Sequence, residues 1–152
     1  MKWIKRISIA LVFLVSVSVG AGYFWLRTSL PSFEGEIRLP GLRASVEVIR
    51  DRNAIPHIYA QSEHDMYLAL GFIHAQDRLF QMELMRRIGS GRASEIIGAR
   101  AVGIDRLMRT LGLYRLAEES LSRLSPRTRK ALESYATGVN AFINTHAGAL
   151  PP

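Results

Sequence analysis

Cysteine is absent from all 152 residues. That excludes disulfides, a thiol nucleophile and thiolate metal sites. An exported domain without disulfides has to hold together through its core alone. Histidine spacing is equally uninformative for metal: no H-x-x-x-H or H-E-x-x-H pair occurs, so the two-ligand helix face of a zinc hydrolase is missing. "GSGR" at 89–92 lacks the Lys-Ser/Thr ending of a phosphate loop and comes after a helical pattern, so it reads as a helix stop. There is no G-x-S-x-G elbow, and no serine sits in a sequence setting that would activate it. A basic stripe and an RNA-stacking motif are also missing, which argues against a nucleic-acid partner. The densest basic stretch, "SPRTRKAL" at 125–132, reads as the solvated first turns of a helix. Neither an internal repeat nor a low-complexity tract is present.

Charge is missing from Ile7 to Leu26, behind a basic head of Lys2, Lys5 and Arg6 and ahead of Arg27. Twenty such residues can cross a bilayer core of about 30 Å as a helix. A secretory signal peptide has a shorter apolar region, about 7–15 residues, and Val19-Gly20-Ala21 could serve as its cleavage site. Residues 1–27 are therefore a signal peptide or a membrane anchor. Both export the rest of the chain, because the basic head stays in the cytoplasm. The expected location is periplasmic or extracellular, or anchored in the inner membrane through 7–26. Taking Lys2, Lys5, Arg6 and Arg27 from the 20 basic residues leaves 16 against 13 acidic ones, so the net +7 falls to a mild +3.

Residues 28–43 read as a linker with a short strand at Gly35–Leu39. "ASVEVIRD" alternates with period 2, and Asp51, Asn53 and Pro56 mark a turn before Ile58 and Tyr59. A β-hairpin is expected, Ser45–Arg50 with Pro56–Ala60, with Pro56 at a strand start because it cannot donate to a ladder. A long helix comes next over Glu63–Ile88, with Ser62 as N-cap, Asp65 three residues on, and Gly89 and Gly91 as the stop. Mid-helix Gly71 is costly relative to alanine, which points to close approach of another element. Three shorter helices are expected over "RASEIIG", "GIDRLMRTLGL" and "YRLAEESLSRL". A last helix starts at Ser125-Pro126, with Ala131, Leu132, Tyr135, Ala136, Val139, Phe142 and Ile143 as its buried stripe.

"GFIHAQDRLFQMELMRR", residues 71–87, is the unusual part of the long helix. At roughly 100° per residue, His74, Asp77, Arg78 and Gln81 share about a third of the circumference. Gln76, Glu83 and Arg87 form a second stripe opposite, with apolar residues between. Such a helix is packed on several sides or lines a polar interior. Partners exist at i+3 and i+4: His74 with Asp77 or Arg78, and Glu83 with Arg86 or Arg87. One reading is a structural polar network that fixes how the helix docks. The other is a site in which Asp77 or His74 acts as acid, base or metal ligand.

"VIRDRNAIPHIYAQSEHDMYLALGFIHAQDRLFQMELMRRIGSGRASEIIG" resembles the amino-terminal part of the penicillin acylases, also called penicillin amidases. "ID.LMR.LGL", "YA.GVNA" and the exported start fit as well, and the likeness runs from about Glu36 to Ala149. The resemblance implies an N-terminal-nucleophile hydrolase. Its exported precursor cuts itself into a smaller α and a larger β subunit, and the new β N-terminus is a serine. The α-amino group of that serine acts as general base, and donors of the β subunit hold the oxyanion. The reaction is acyl transfer from an amide to water. Substrates are side-chain amides of β-lactams, cephalosporin acyl groups and N-acyl homoserine lactones. A calcium ion bridges the subunits, and the fold is a four-layer αββα sandwich to which the α subunit gives mainly helices.

The serine expected in a Gly-Ser-Asn-x-Trp-like setting is absent here; Ser90 comes after Gly89 but precedes Gly91. The resemblance therefore carries no catalytic, metal or substrate residue onto this chain. It makes His57 the closure of a turn, and His74, Asp77, Arg78, Gln81, Glu83, Arg86 and Arg87 a buried structural network. The expected fold class is α+β: an N-terminal helix, a short hairpin, then mainly helices. Residues 44–152 are expected to be an incomplete α-subunit-like domain whose partner is the remainder of the acylase, without which it is inactive. Calcium is expected only in the complete enzyme. The alternative is a stand-alone, membrane-tethered helical binding module without catalysis.

Overall fold

The computed structural model describes residues 2–28 and 34–146. Helix α1 spans Lys2–Thr28 without a break. It belongs to one compact unit, and Ile37–Thr145 form the other. The large apolar side chains of α1, Trp3 to Leu26, are exposed.

The second unit opens on segment 37–46, which contains no strand. The strand expected over Gly35–Leu39 is not formed: the only ladder among the described residues pairs β1 (Glu47–Arg50) with β2 (Pro56–Tyr59). A lone strand would leave its backbone groups unpaired. The pairing is antiparallel, Glu47 opposite Tyr59 and Arg50 opposite Pro56, so Ser45, Val46 and Ala60 lie outside the ladder. Asp51 builds the turn. Its Oδ1 accepts from the Asn53 N–H at 2.8 Å and the Ile55 N–H at 2.9 Å. The Ile55 bond comes first in holding the Asp51 carboxyl below its ordinary range. Ala54 takes the left-handed conformation, φ 61°, to close this loop.

Helix α2 spans Glu63–Gly89 and opens on Ser62, whose Oγ accepts from the Asp65 N–H at 3.1 Å. The buried Asp65 carboxylate accepts from the Ser62 hydroxyl and, at 2.9 Å, from the Arg43 N–H. This fastens segment 41–43 to the start of the helix. Residue 78 departs from helical geometry (φ −141°, ψ 22°), so the helix expected to run unbroken is bent there. No proline or glycine occupies the bend. It comes directly after Asp77, which β1 holds. The stop is Gly91, at φ 66°, while Gly89 stays helical. A Cβ on Gly91 would lie 2.6 Å from Arg109 Cγ, a second reason for glycine.

Helix α3 (Ser94–Ile97) and a 3₁₀ turn (Ala99–Ala101) lead to α4 (Val102–Leu111) and α5 (Leu113–Leu121), which part at Gly112 in the left-handed conformation. Asp105 of α4 is buried and caps α3, accepting from the Ala93 N–H at 2.8 Å and the Ser94 N–H at 2.9 Å. Helix α6 (Pro126–Thr145) starts as expected: the Ser125 Oγ accepts from the Thr128 N–H at 3.1 Å.

The core lies where α2 crosses α6. Leu68, Phe72 and Ile73 of α2 and Ala141 and Phe142 of α6 are buried, and the rings of Phe72 and Phe142 meet edge to face at 5.5 Å. Glycines set the separation. A Cβ on Gly71 would lie 2.1 Å from the Tyr135 carbonyl oxygen, and one on Gly138 would lie 1.9 Å from that of Leu68. The close approach inferred for Gly71 is therefore real, and it is made by α6. The face of α6 agrees with the expected stripe in part: Phe142 is buried and Ala131, Tyr135, Val139 and Ile143 are half-buried. Its buried line is Ser134, Gly138, Ala141 and Phe142, whereas Ala136 is exposed and Leu132 is 48% exposed. The small residues face α2 because only they admit the backbone contact.

Candidate functional site

Three polar groups gather along α2. The first joins the hairpin to the helix. Arg50 of β1 sends both guanidinium nitrogens to Asp77, at 2.9 and 3.0 Å, a forked pairing that fixes direction as well as distance. The same guanidinium donates to Gln76 Oε1 and to the Ala54 carbonyl, both at 3.1 Å. Asp77 therefore pairs with a residue of the preceding hairpin, and His74 pairs elsewhere. Its Nδ1 lies 3.0 Å from the Tyr135 hydroxyl of α6, with the rings edge to face. Burial raises the Tyr135 phenol above its ordinary pKa, so it stays protonated and available as a donor.

The second group is carried within α2 and into α3. Glu83 accepts from Arg86 and Arg87, each through Nε at 2.7 Å. Arg86 first, and Arg87 after it, bring its carboxyl down to about 2. Arg87 reaches on to Glu95, which Arg92 also grips at 2.8 and 2.9 Å. Arg92 is the main reason the Glu95 carboxyl is lowered. Of the other residues singled out in the sequence, Arg78 and Gln81 are exposed, as are His74, Asp77 and Arg86. Within this chain those side chains lie at or near the surface; the element expected to wrap them is the remainder of the acylase. His57 is exposed, its Nε2 3.8 Å from Asp51 Oδ2 at the foot of the turn.

The third group joins residues 70 positions apart. His64 Nδ1 lies 2.8 Å from Ser134 Oγ, and His64 Nε2 lies 3.0 Å from the Gly41 carbonyl. A carbonyl only accepts, so Nε2 carries the hydrogen on the Gly41 side. No serine stands beside a base in the sequence; the fold brings this pair together. Ser134 is buried, however, and its hydroxyl is also 2.8 Å from the Lys130 carbonyl. Through these bonds the pair ties α6 to α2 and to segment 41–43. His64 and Ser134 lie in the wall of a groove of about 680 Å³, with Arg43, Glu63, Tyr67 and Arg127 around them. Arg127 is paired with Glu63 across it, at 3.1 Å through Nε.

Carboxylates held below their ordinary range by arginine are weak bases and are rarely protonated near neutral pH. Glu83 and Glu95 suit docking better than proton transfer. Among the described residues, no group of three or more His, Asp or Glu side chains stands together as a cation cage.

Residues 45–152 match the family model described as penicillin amidase. The chain is 48% identical over 122 residues to penicillin acylase 2 proenzyme of Pseudomonas sp. strain SE83, covering 80% of this chain and 16% of that protein. It is 36% identical over 155 residues to acyl-homoserine lactone acylase QuiP of Pseudomonas aeruginosa, covering 99% of this chain and 18% of that one. A solved structure, the thermostable penicillin G acylase of Alcaligenes faecalis, superposes with TM-score 0.60 at 32% identity, over 70% of this chain and 58% of that chain. The chain thus spans less than a fifth of the length of the curated relatives it matches.

Proposed function

Because the chain belongs to the penicillin amidase family, we propose that it is the amino-terminal part of an exported amidohydrolase. The complete enzyme hydrolyses the acyl side-chain amide of penicillin-like or N-acyl substrates. The observation that carries this reading is the likeness to penicillin acylase 2 proenzyme, 48% identity confined to 16% of that protein. The names of the relatives support the substrate class: two kinds of acylase, one acting on penicillins and one on acyl-homoserine lactones.

In this proposal the chain docks and does not catalyse. The nucleophile is a serine at a new N-terminus on the remaining polypeptide, activated by its own amino group, within a four-layer αββα sandwich. Calcium is proposed only for the complete enzyme. The chain by itself is inactive on this reading. Support comes from the apolar surface of the second unit. Phe80 is 66% exposed and Met85 65%, and Leu107, Leu111 and Leu132 are each about half exposed. Apolar area on this scale marks a surface to be covered.

The test is a chimera. This chain replaces the matching stretch of penicillin acylase 2 proenzyme, and processing and penicillin hydrolysis are measured. A processed, active chimera is expected. A soluble chimera that is never processed, beside a 152-residue chain that unfolds cooperatively as a monomer, would favour the stand-alone binding module.

A further inference from the structure

We infer that α1 is a retained single-span membrane anchor, with Trp3 seated at the cytoplasmic face of the bilayer and Tyr23, Phe24 and Trp25 at the outer face. The placement of the aromatic residues carries this beyond length and hydropathy alone. Aromatic side chains with a polar edge gather at the two membrane–water boundaries. In α1 they stand at both ends and nowhere else, save Phe13 midway. Residues 3 and 25 are roughly 33 Å apart along an unbroken helix at 1.5 Å per residue, close to the bilayer core of about 30 Å. Lys2 and Arg27 sit outside this interval and Lys5 and Arg6 just inside its cytoplasmic end, ahead of the uncharged run Ile7–Leu26. Lys5 and Arg6 lie one turn from Trp3, where long cationic side chains reach back to the headgroups. At the other end the Arg27 guanidinium lies 5.8 Å from the centre of the Tyr23 ring, which keeps it within the outer aromatic belt. The aliphatic side chains between the belts are exposed, the arrangement lipid requires.

The same residues argue against removal at Val19-Gly20-Ala21. A signal peptide places its small-residue site after a short apolar region, in a polar and extended stretch. Here the small residues precede Gly22 and four large apolar side chains, Tyr23 to Leu26, and the helix continues through them to Thr28. Cutting after Ala21 would also leave that aromatic cluster at a free end in water. Three cations precede the span, Lys2, Lys5 and Arg6, and one comes closely after it, Arg27, so the amino terminus faces the cytoplasm and the second unit stands outside. This inference is independent of the proposed catalysis.

The full chain expressed in a Gram-negative host tests it, with intact mass and flotation of alkali-washed membranes as readouts. The expected result is a mass that includes residues 1–27, nearly all protein floating with the membranes, and a second unit digested by protease added outside spheroplasts. A mature terminus anywhere within 19–28, or protein that fails to float, overturns the inference. Ala21→Leu, which blocks a small-residue cleavage site, is expected to change neither readout; a shift from soluble to membrane-bound protein in that variant would equally overturn it.

Discussion

Gly138 of α6 lies so close to Leu68 of α2 that a Cβ on it would stand 1.9 Å from the Leu68 carbonyl oxygen. Gly71 repeats the relationship in the opposite direction, 2.1 Å from the Tyr135 carbonyl oxygen. Two helices whose backbones touch at two points cannot part slightly at one of them without losing the edge-to-face contact of Phe72 and Phe142 beside it.

Gly138→Ala and Gly71→Ala are therefore each expected to destabilise the protein by at least about 1–3 kcal/mol, the usual range for overpacking. Gly103→Ala is the control: a Cβ there meets nothing within 4 Å, and the residue is helical. It should be neutral or stabilising by up to about 1 kcal/mol. Thermal melting of the three variants separates close packing from a general intolerance of alanine.

Asp77→Asn and Arg50→Lys both break the forked pairing that ties the hairpin to α2. Losing hydrogen bonds to a charged partner costs about 1.5–3 kcal/mol, and lysine cannot replace the fork. Faster amide exchange over Glu47–Tyr59, with α6 unchanged, is the expected pattern. Equal exchange in wild type and both variants would mean that the pairing does not hold the hairpin.

Glu83 gives a pH dependence with a definite sign. Its carboxyl is lowered from 4.5 to about 2 by Arg86 and Arg87. Its contribution to stability is thus complete above about pH 4.5 and is lost as pH falls towards 2. Its side chain is 34% exposed, so solvent screening keeps the effect to about 1 kcal/mol or less. Glu83→Gln should be less stable than wild type at pH 6, with the difference closing as pH falls below 4. A difference that grows on acidification would refute the assignment.

Asp105→Ala removes the acceptor for the Ala93 and Ser94 N–H groups in a place water barely reaches. Buried donors left without partners are costly. The expected result is a clear loss in melting temperature, larger than for Glu119→Gln, which removes only an exposed pair with Arg115. Asp105→Asn, which keeps one acceptor oxygen, should fall between them.

These residues also mark how much of the fold was legible in the sequence. Ser62, Gly91 and the Ser125-Pro126 pair announce helix ends through chemistry within three or four residues, and the helix limits lie close to where they point. Gly71 announced a close contact because glycine in mid-helix needs a reason. It could not announce the partner, since Gly138 lies 67 positions away. Sequence separation likewise hid Arg50 from Asp77, Asp105 from Ala93, and Ser134 from His64. Periodicity placed the face of α6 only in part, for a different reason. Phe142 of the expected stripe is buried, but Leu132 is left exposed while Ser134, Gly138 and Ala141 take the contact, and a hydrophobic pattern does not mark small residues as the packing face. The strand read at Gly35–Leu39 had the composition but no partner strand.

The most direct measurement is amide hydrolysis by the 152-residue chain alone, assayed with a penicillin and with an N-acyl homoserine lactone, beside penicillin acylase 2 proenzyme as the positive control. No release of amine above the uncatalysed rate is expected from the chain, because the nucleophilic serine is assigned to the remaining polypeptide and the Ser134 hydroxyl here is committed to the Lys130 carbonyl. Turnover by the chain alone, abolished by Ser134→Ala, would contradict the assignment of catalysis to the rest of the enzyme.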